Sequence, residues 1–230
     1  MRSEQTYGLL LSLGLLASTS ALLSGCSHSD SVPQTSQPAP ANGSMSMTEH
    51  AMTDHAMTDH AMTMDLGPKD DEFDLRFVDG MILHHQGAIA MSEAALKNSQ
   101  RPEVKELAQN IIKAQAGEIS RMQTWRQTWY PEASAAPIMY DAQMGHTMEM
   151  SDEMQSNMRM DGDLGKADDK FDLRFINGMI PHHEGALAMA KEGLKNSDRP
   201  EIQQVSNDIL RTQQVEIDLM NRWKEDWYGQ

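Results

Sequence analysis

Apolar residues recur at helical spacing in four long segments of the chain, without the alternation of a half-buried strand. The segments are 69–98, 102–129, 166–196 and 200–227. Within each pair the connection is short, and Pro102 and Pro200 fit the first turn of the helix that follows. Short connections join antiparallel neighbours. The pattern therefore predicts an all-α fold, a four-helix bundle built from two antiparallel helical hairpins.

The two hairpins are copies of one sequence. Residues 73–88 return as residues 171–186, a constant offset of 98 residues. The same offset relates isolated side chains further along: Met91 and Met189, Arg101 and Arg199, Glu118 and Glu216, Met122 and Met220, Trp125 and Trp223. A duplicated unit explains this match. We therefore predict a first hairpin repeat at 67–131, a Met-rich linker at 132–164 and a second hairpin repeat at 165–230.

The chain begins with a segment typical of a bacterial lipoprotein. Residues 1–25 carry Arg2 followed by an apolar run too short to cross a bilayer, as in a secretory signal peptide. The residues around Cys26 match a lipobox, and Cys26 is the only cysteine in the sequence. We predict lipidation of Cys26 and export, with the outer membrane favoured. Residues 26–44 are rich in Ser, Pro, Gln and Thr, so we predict a disordered N-terminal region that acts as a tether.

A Met- and His-rich segment follows at 45–66. It repeats the string His-Ala-Met-Thr with a period of five, which suits neither a helix nor a strand. The candidate metal ligands in it are His50, Met52, His55, Met57, His60 and Met62. Thioethers bind Cu(I) and Ag(I), and imidazole also accepts Cu(II), so the segment predicts copper binding. The alternative is low-complexity sequence without a ligand.

Polar side chains interrupt the apolar stripes at corresponding places in the two hairpins. An adjacent His-His pair faces inward on the first helix, and a glutamate lies in the stripe of the second helix at about the same level. The residues that could converge are Met81, His84, His85, Met91, Glu118 and Met122 in the first copy. Their counterparts are Met179, His182, His183, Met189, Glu216 and Met220. A buried carboxylate is costly unless it is paired or bound to metal.

A purely structural interpretation of these residues remains open. His84 and Glu118 could form a buried hydrogen-bonded pair while the methionines are ordinary core. The copies also differ beside the His pair, because Leu83 corresponds to Pro181. In the linker, the spacing of Met150, Met154 and Met158 fits a short amphipathic helix as well as a metal site. Four charges near the helix starts are interpreted as solvated or paired: Asp74, Arg76, Asp172 and Arg174.

Composition narrows the class of partner. The formal net charge of −15 argues against binding nucleic acid or anionic lipid through charge. The chain holds 20 methionines, whose flexible side chains specify packing poorly. Together with the duplicated His pairs they favour copper, in either oxidation state, with silver as a mimic.

The motif from Phe171 to Ala190, with the later Arg-Pro-Glu and Glu-Ile-x-x-Met-x-x-Trp, resembles the domain-of-unknown-function family 305. The resemblance covers about 69–130 and 166–228. It implies a helical bundle of ferritin-like type and an exported protein that binds copper and supports copper tolerance. It also implies ligands at Met81, His84, His85 and Met91, and at Met179, His182, His183 and Met189.

The sequence thus predicts a lipid-anchored, extracytoplasmic protein that buffers, sequesters or transfers copper without being an enzyme. A copper-transport or efflux protein is the predicted partner. One alternative is a ferritin-like oxidase of Cu(I) or Fe(II). This alternative is weaker because the helical stripes of the sequence lack the Glu-x-x-His pattern that dinuclear carboxylate centres place on two helices. A second alternative is an acidic adaptor whose His and Glu side chains are structural only.

Overall fold

The computed structural model describes residues 65–230. Five helices and one strand pair follow in the order α1 (Phe73–Asn98), α2 (Pro102–Trp129), β1 (Ile138–Asp141), β2 (His146–Glu149), α3 (Asp152–Arg159), α4 (Phe171–Asn196) and α5 (Pro200–Tyr228). Helices α1 and α2 form the first hairpin, and α4 and α5 form the second. The prediction of an all-α fold with four long helices is confirmed.

Several predicted features lie outside the described residues. They are the signal peptide at 1–25, Cys26 and the tether at 26–44, and nearly all of the Met/His-rich segment, including His50, Met52, His55, Met57, His60 and Met62. Within 65–230, no helix combines the length and the apolar character that crossing a membrane requires.

Each hairpin turns tightly at a proline. Helix α1 ends before Ser99. The hydroxyl oxygen of Ser99 accepts a hydrogen bond from the backbone N–H of Arg101 at 3.0 Å. Pro102 then starts α2, where its missing N–H costs nothing. The ion pair between Asp79 on α1 and Arg126 on α2 joins the start of one helix to the end of the other. The hairpin is therefore antiparallel, as predicted.

Helices α1 and α4 cross antiparallel in the middle of the fold. The thioether sulfur of Met189 lies 3.8 Å from the position of a Cβ at Gly80, and that of Met91 lies 3.5 Å from the same position at Gly178. The small residues let the two helices approach. Each approach brings a methionine of one hairpin onto the other hairpin.

The apolar interior consists of two clusters of similar make-up. The first core cluster includes Phe73, Phe77, Met81, Met122, Met189 and Ile202. The second core cluster includes Met91, Val104, Ile111, Phe171, Met179 and Met220. Each draws side chains from both hairpins, so neither hairpin has a complete core of its own.

Two cation–π contacts also join the hairpins. The guanidinium of Arg101 lies 4.0 Å from the ring centroid of Trp227, and that of Arg199 lies 4.1 Å from the ring centroid of Trp129. Each arginine comes from the turn of one hairpin, and each tryptophan from the end of the other. The contacts therefore close both ends of the fold.

The linker contains a strand pair that the sequence did not predict, and the short helix that was one interpretation of Met150, Met154 and Met158. Strands β1 and β2 form an antiparallel pair, and α3 follows as a short helix capped by the Ser151 hydroxyl. The linker and the chain before α1 cover Arg76, which is fully buried and paired with Asp70 at 2.9 Å rather than solvated. Its guanidinium donates to the carbonyl oxygens of Leu66 at 2.6 Å and Pro68 at 2.8 Å. Arg76 thus fixes the chain that leads into α1.

The end of α3 packs directly on the backbone of α1 at Gly87. A Cβ at Gly87 would lie only 1.7 Å from the carbonyl oxygen of Arg159. We expect Gly87→Ala to lower the free energy of unfolding by about 1–3 kcal/mol, because the backbone of α3 must move. The control Gly117→Ala has open space around the new methyl group, and we expect it to raise stability by about 0.5–1 kcal/mol. Urea unfolding followed by circular dichroism measures both, and equal effects of the two substitutions would contradict this packing.

Candidate metal centre

Four histidines lie in the interior at the middle of α1 and α4. None of the side chains of His84, His85, His182 and His183 is exposed to solvent. The inward orientation predicted for both members of each pair is thus observed. Neighbouring residues on a helix point about 100° apart, so the members of each pair meet different partners.

His85 and His183 each pair with the glutamate of their own hairpin. The Nε2 atom of His85 lies 2.6 Å from Oε2 of Glu118, and that of His183 lies 2.7 Å from Oε2 of Glu216. The predicted alternative paired Glu118 with His84, but the structure places His85 there. Since a carboxylate accepts, each Nε2 carries a proton and donates it, and in a neutral ring Nδ1 then keeps a lone pair. Neither Nδ1 has a hydrogen-bond partner within the described residues.

This geometry is the one that carboxylates give to metal-binding histidines. A carboxylate that accepts from one ring nitrogen fixes the tautomer and raises the basicity of the other nitrogen. In both hairpins the glutamate holds the imidazole in that way. Direct ligation by Glu118 and Glu216 stays a prediction.

His84 and His182 meet across the crossing of α1 and α4. Their ring centroids lie 3.8 Å apart, with an interplanar angle of 44°. His182 Nε2 donates to the carbonyl oxygen of Arg159 at 3.1 Å. Neither ring nitrogen of His84 has a hydrogen-bond partner in the described part of the chain.

Burial keeps both of these rings neutral. Loss of hydration lowers the pKa of His84 well below its usual value, and the neighbouring His182, His85 and His183 lower it further. The same cause, with help from His183 and His85, lowers the pKa of His182 to about 3. At neutral pH the two rings therefore keep lone pairs that can bind a metal ion.

The methionines predicted to converge within each copy are divided between the two core clusters. Met81 and Met122 pack in the first core cluster together with Met189 of the other hairpin. Met91 packs in the second core cluster with Met179 and Met220. All six side chains are buried. The thioethers thus surround the histidine layer from both sides, and each group mixes the two hairpins.

The donor set fits a soft ion better than a hard one. Across residues 65–230, no three His, Asp or Glu side chains converge in a way that could hold a metal ion. The other side-chain donors that the sequence predicted are the neutral thioethers of the two core clusters. Imidazole and thioether together suit copper, and thioether favours Cu(I) over Zn(II) or Mg(II).

Two contributors to this region were not predicted. The carbonyl oxygen of Arg159 binds His182, and the side chain of Met160 reaches the same layer. Both residues stand at the end of the Met-rich linker. A backbone acceptor leaves no mark in a sequence, but the run of methionines that ends at Met160 was a signal for the second contributor.

Comparison with known proteins relates the chain to one family. The family described as a domain of unknown function, DUF305, matches residues 19–97 and 74–224. Among curated proteins, an uncharacterized protein of Acanthamoeba polyphaga mimivirus is 44% identical over 50 residues, which are 22% of this chain. The chain spans one third of the length of that relative, since the match covers 33% of it.

Solved structures match over a longer part of the chain. CopM in the Cu(II)-bound form is 39% identical with a TM-score of 0.54, covering 67% of this chain and 97% of CopM. CopM in the Cu(I)-bound form is 36% identical with a TM-score of 0.52, covering 68% and 98%. A predicted secreted DUF305 protein from Streptomyces coelicolor is 26% identical with a TM-score of 0.51, covering 64% and 88%. CopM has also been solved with silver bound.

The burial of neutral histidines makes the stability of the metal-free protein depend on pH. An unfolded histidine takes up a proton near pH 6.5, whereas folded His182 does so at about 3. The unfolded chain thus binds more protons between these values, and stability falls as the pH is lowered through 6.5. We expect the wild type to lose about 2 kcal/mol more than His182→Gln between pH 7 and pH 5. Urea unfolding at the two pH values measures this difference, and parallel losses would show that His182 is protonated when folded.

Proposed function

The chain belongs to the DUF305 family, and on this premise we propose that it is a copper-binding protein that acts outside the cytoplasmic membrane. It binds copper as cargo through imidazole and thioether donors. The role that fits such ligands is to buffer, sequester or transfer the ion, because thioether ligands stay neutral and hold Cu(I) without a proton to displace.

The observation that carries the proposal is the layer of buried imidazoles between two methionine-containing clusters. His85 and His183 already donate to carboxylates, as metal-binding histidines do. His84 is fully buried with no hydrogen-bond partner among the described residues, and such a group costs free energy unless something binds it. Copper at this layer would supply the missing partner.

The relatives support copper as the ion. The match with CopM covers 98% of CopM and 68% of this chain, and CopM has been solved with Cu(I), with Cu(II) and with silver. The His pairs and the methionines named from the sequence motif are the candidate ligands in this chain.

The cellular place of this function rests on the N-terminal sequence. A signal peptide and a lipobox at Cys26 support an exported lipoprotein on the periplasmic or cell-surface face of a membrane, with a preference for the outer membrane. The secreted description of the Streptomyces coelicolor relative agrees with export. The Met/His-rich segment between the anchor and the first hairpin would collect copper, and a transport or efflux protein would exchange it.

We propose binding without catalysis. Across residues 65–230 no three His, Asp or Glu side chains converge to hold a metal ion, as the Glu and Glu-x-x-His side chains of a ferritin-like centre do. Oxygen consumption during exposure to Cu(I) tests this point, and turnover beyond one oxidation per bound ion would establish an oxidase instead.

Copper binding is tested first with the purified protein carrying Cys26→Ser. We expect several equivalents of Cu(I) to be taken from a chromophoric chelator without oxygen, at sub-nanomolar affinity. His84→Gln with His182→Gln should weaken this uptake, because it removes two buried imidazoles. The control His146→Gln changes an exposed histidine in β2 and should leave it unchanged. Lower stability with unaltered copper content would identify the His layer as structural only.

The glutamates are tested as partners of the histidines. We expect Glu118→Gln to reduce copper affinity about 10–100-fold, because a neutral amide no longer raises the basicity of His85. Glu106→Gln alters an exposed carboxylate on the same helix and should have no effect. Chelator competition measures both variants. Equal copper affinities for the two variants would show that the Glu118 carboxylate does not contribute to copper binding.

A further inference from the structure

One residue of the linker has a strained backbone. Met160 follows α3 with φ 51° and ψ 31°, and it is the one non-glycine residue with positive φ in the described part of the chain. A side chain in this left-handed conformation costs free energy, and helices usually end there with glycine. Gly229 takes that conformation at the end of α5. The side chain of Met160 is therefore expected to contribute something that offsets the strain.

The side chain of Met160 reaches the histidine layer beside Gly185. A Cβ at Gly185 would lie 3.1 Å from Nε2 of His84 and 3.8 Å from the sulfur of Met160. Because Gly185 has no side chain, both donor atoms can lie within 4 Å of the same position beside its Cα.

The corresponding point in the other hairpin is filled. Gly87 stands where Gly185 stands in the second copy, and the carbonyl oxygen of Arg159 covers it. That oxygen accepts from His182. His84 faces Gly185 with both ring nitrogens unpartnered among the described residues and with no exposed surface. The two halves of the fold therefore differ at this place, because among the described residues His182 makes one hydrogen bond and His84 makes none.

We propose that the linker supplies a copper ligand, and that the thioether of Met160 and the imidazole of His84 hold one soft ion at Gly185. This inference rests on the proposed copper binding and deepens it. From the sequence we expected one site within each copy. The proposed site instead takes its donors from α1 and from the linker, and it lies against α4. Within residues 65–230 no three His, Asp or Glu side chains converge on a metal position, and a thioether beside an imidazole selects Cu(I) or Ag(I).

The first test follows the Met160 sulfur directly. The protein is labelled with carbon-13 at the methionine methyl groups and titrated with Ag(I), and Met160→Leu assigns the Met160 signal. We expect that signal to shift with the first equivalents of Ag(I). Other methionine signals shifting while that of Met160 stays in place would overturn the inference and leave the proposed copper binding intact. No signal shifting would count against both.

The second test separates ligation from folding. Met160→Leu keeps the size of the side chain without its sulfur, and Met160→Gly removes the side chain and relieves the backbone. We expect both to weaken Cu(I) affinity at least tenfold in chelator competition. Met160→Gly should at the same time raise the urea midpoint. The control Met144→Leu changes a methionine of the linker that is 69% exposed, and its affinity should be that of the wild type.

The combination of a more stable fold and a weaker site is the expected signature of a strained ligand. A merely structural Met160 would lower the urea midpoint in Met160→Gly and leave copper affinity unchanged in Met160→Leu. That pair of results would overturn the proposal.

Discussion

Four imidazole rings are buried where α1 and α4 cross. Burying them costs free energy, and contacts from the rest of the fold offset that cost. Two of them donate to the carboxylates of Glu118 and Glu216, which lie on the second helix of each hairpin. His182 donates to a backbone carbonyl of the linker. Since an unsatisfied buried polar group costs about 1–3 kcal/mol, these bonds set the register of each hairpin and the position of the linker.

The apolar part of the structure adapts to this polar layer by splitting. One core cluster lies on each side of the histidines, and each takes residues from both hairpins. The cation–π contacts of Arg101 and Arg199 then close the two ends. An isolated hairpin would expose half of each cluster together with its histidines. The imidazole layer is therefore enclosed only when both hairpins are docked.

Much of this arrangement follows from the sequence, and the remainder depends on docking. Helical spacing and the prolines predict the hairpins, and counting residues from the turn places Glu118 at the level of the His pair. His84 and His85 differ by one residue, which is about 100° of rotation around the helix. A stripe of apolar residues does not define the helix face finely enough to tell which of them contacts Glu118. The contact of His84 with His182 depends on how the hairpins cross. Arg76 is buried because the linker packs over it, where its guanidinium donates to the hydroxyl of Thr147. No local sequence pattern predicts this long-range contact.

The two hairpins are nearly symmetric, and they differ at Gly87 and Gly185. The copies match in their His pairs, their glutamates and their small residues at the helix crossing. Only one linker lies between them, however, and its end covers Gly87 with a backbone carbonyl while it offers a sulfur at Gly185. Two equivalent hairpins thereby acquire two different surroundings. In one, His182 donates a hydrogen bond to the linker, and in the other, His84 lies beside a thioether with no hydrogen-bond partner among the described residues. A duplicated sequence can in this way produce a single site for a soft ion, because the connection between the copies cannot itself be symmetric.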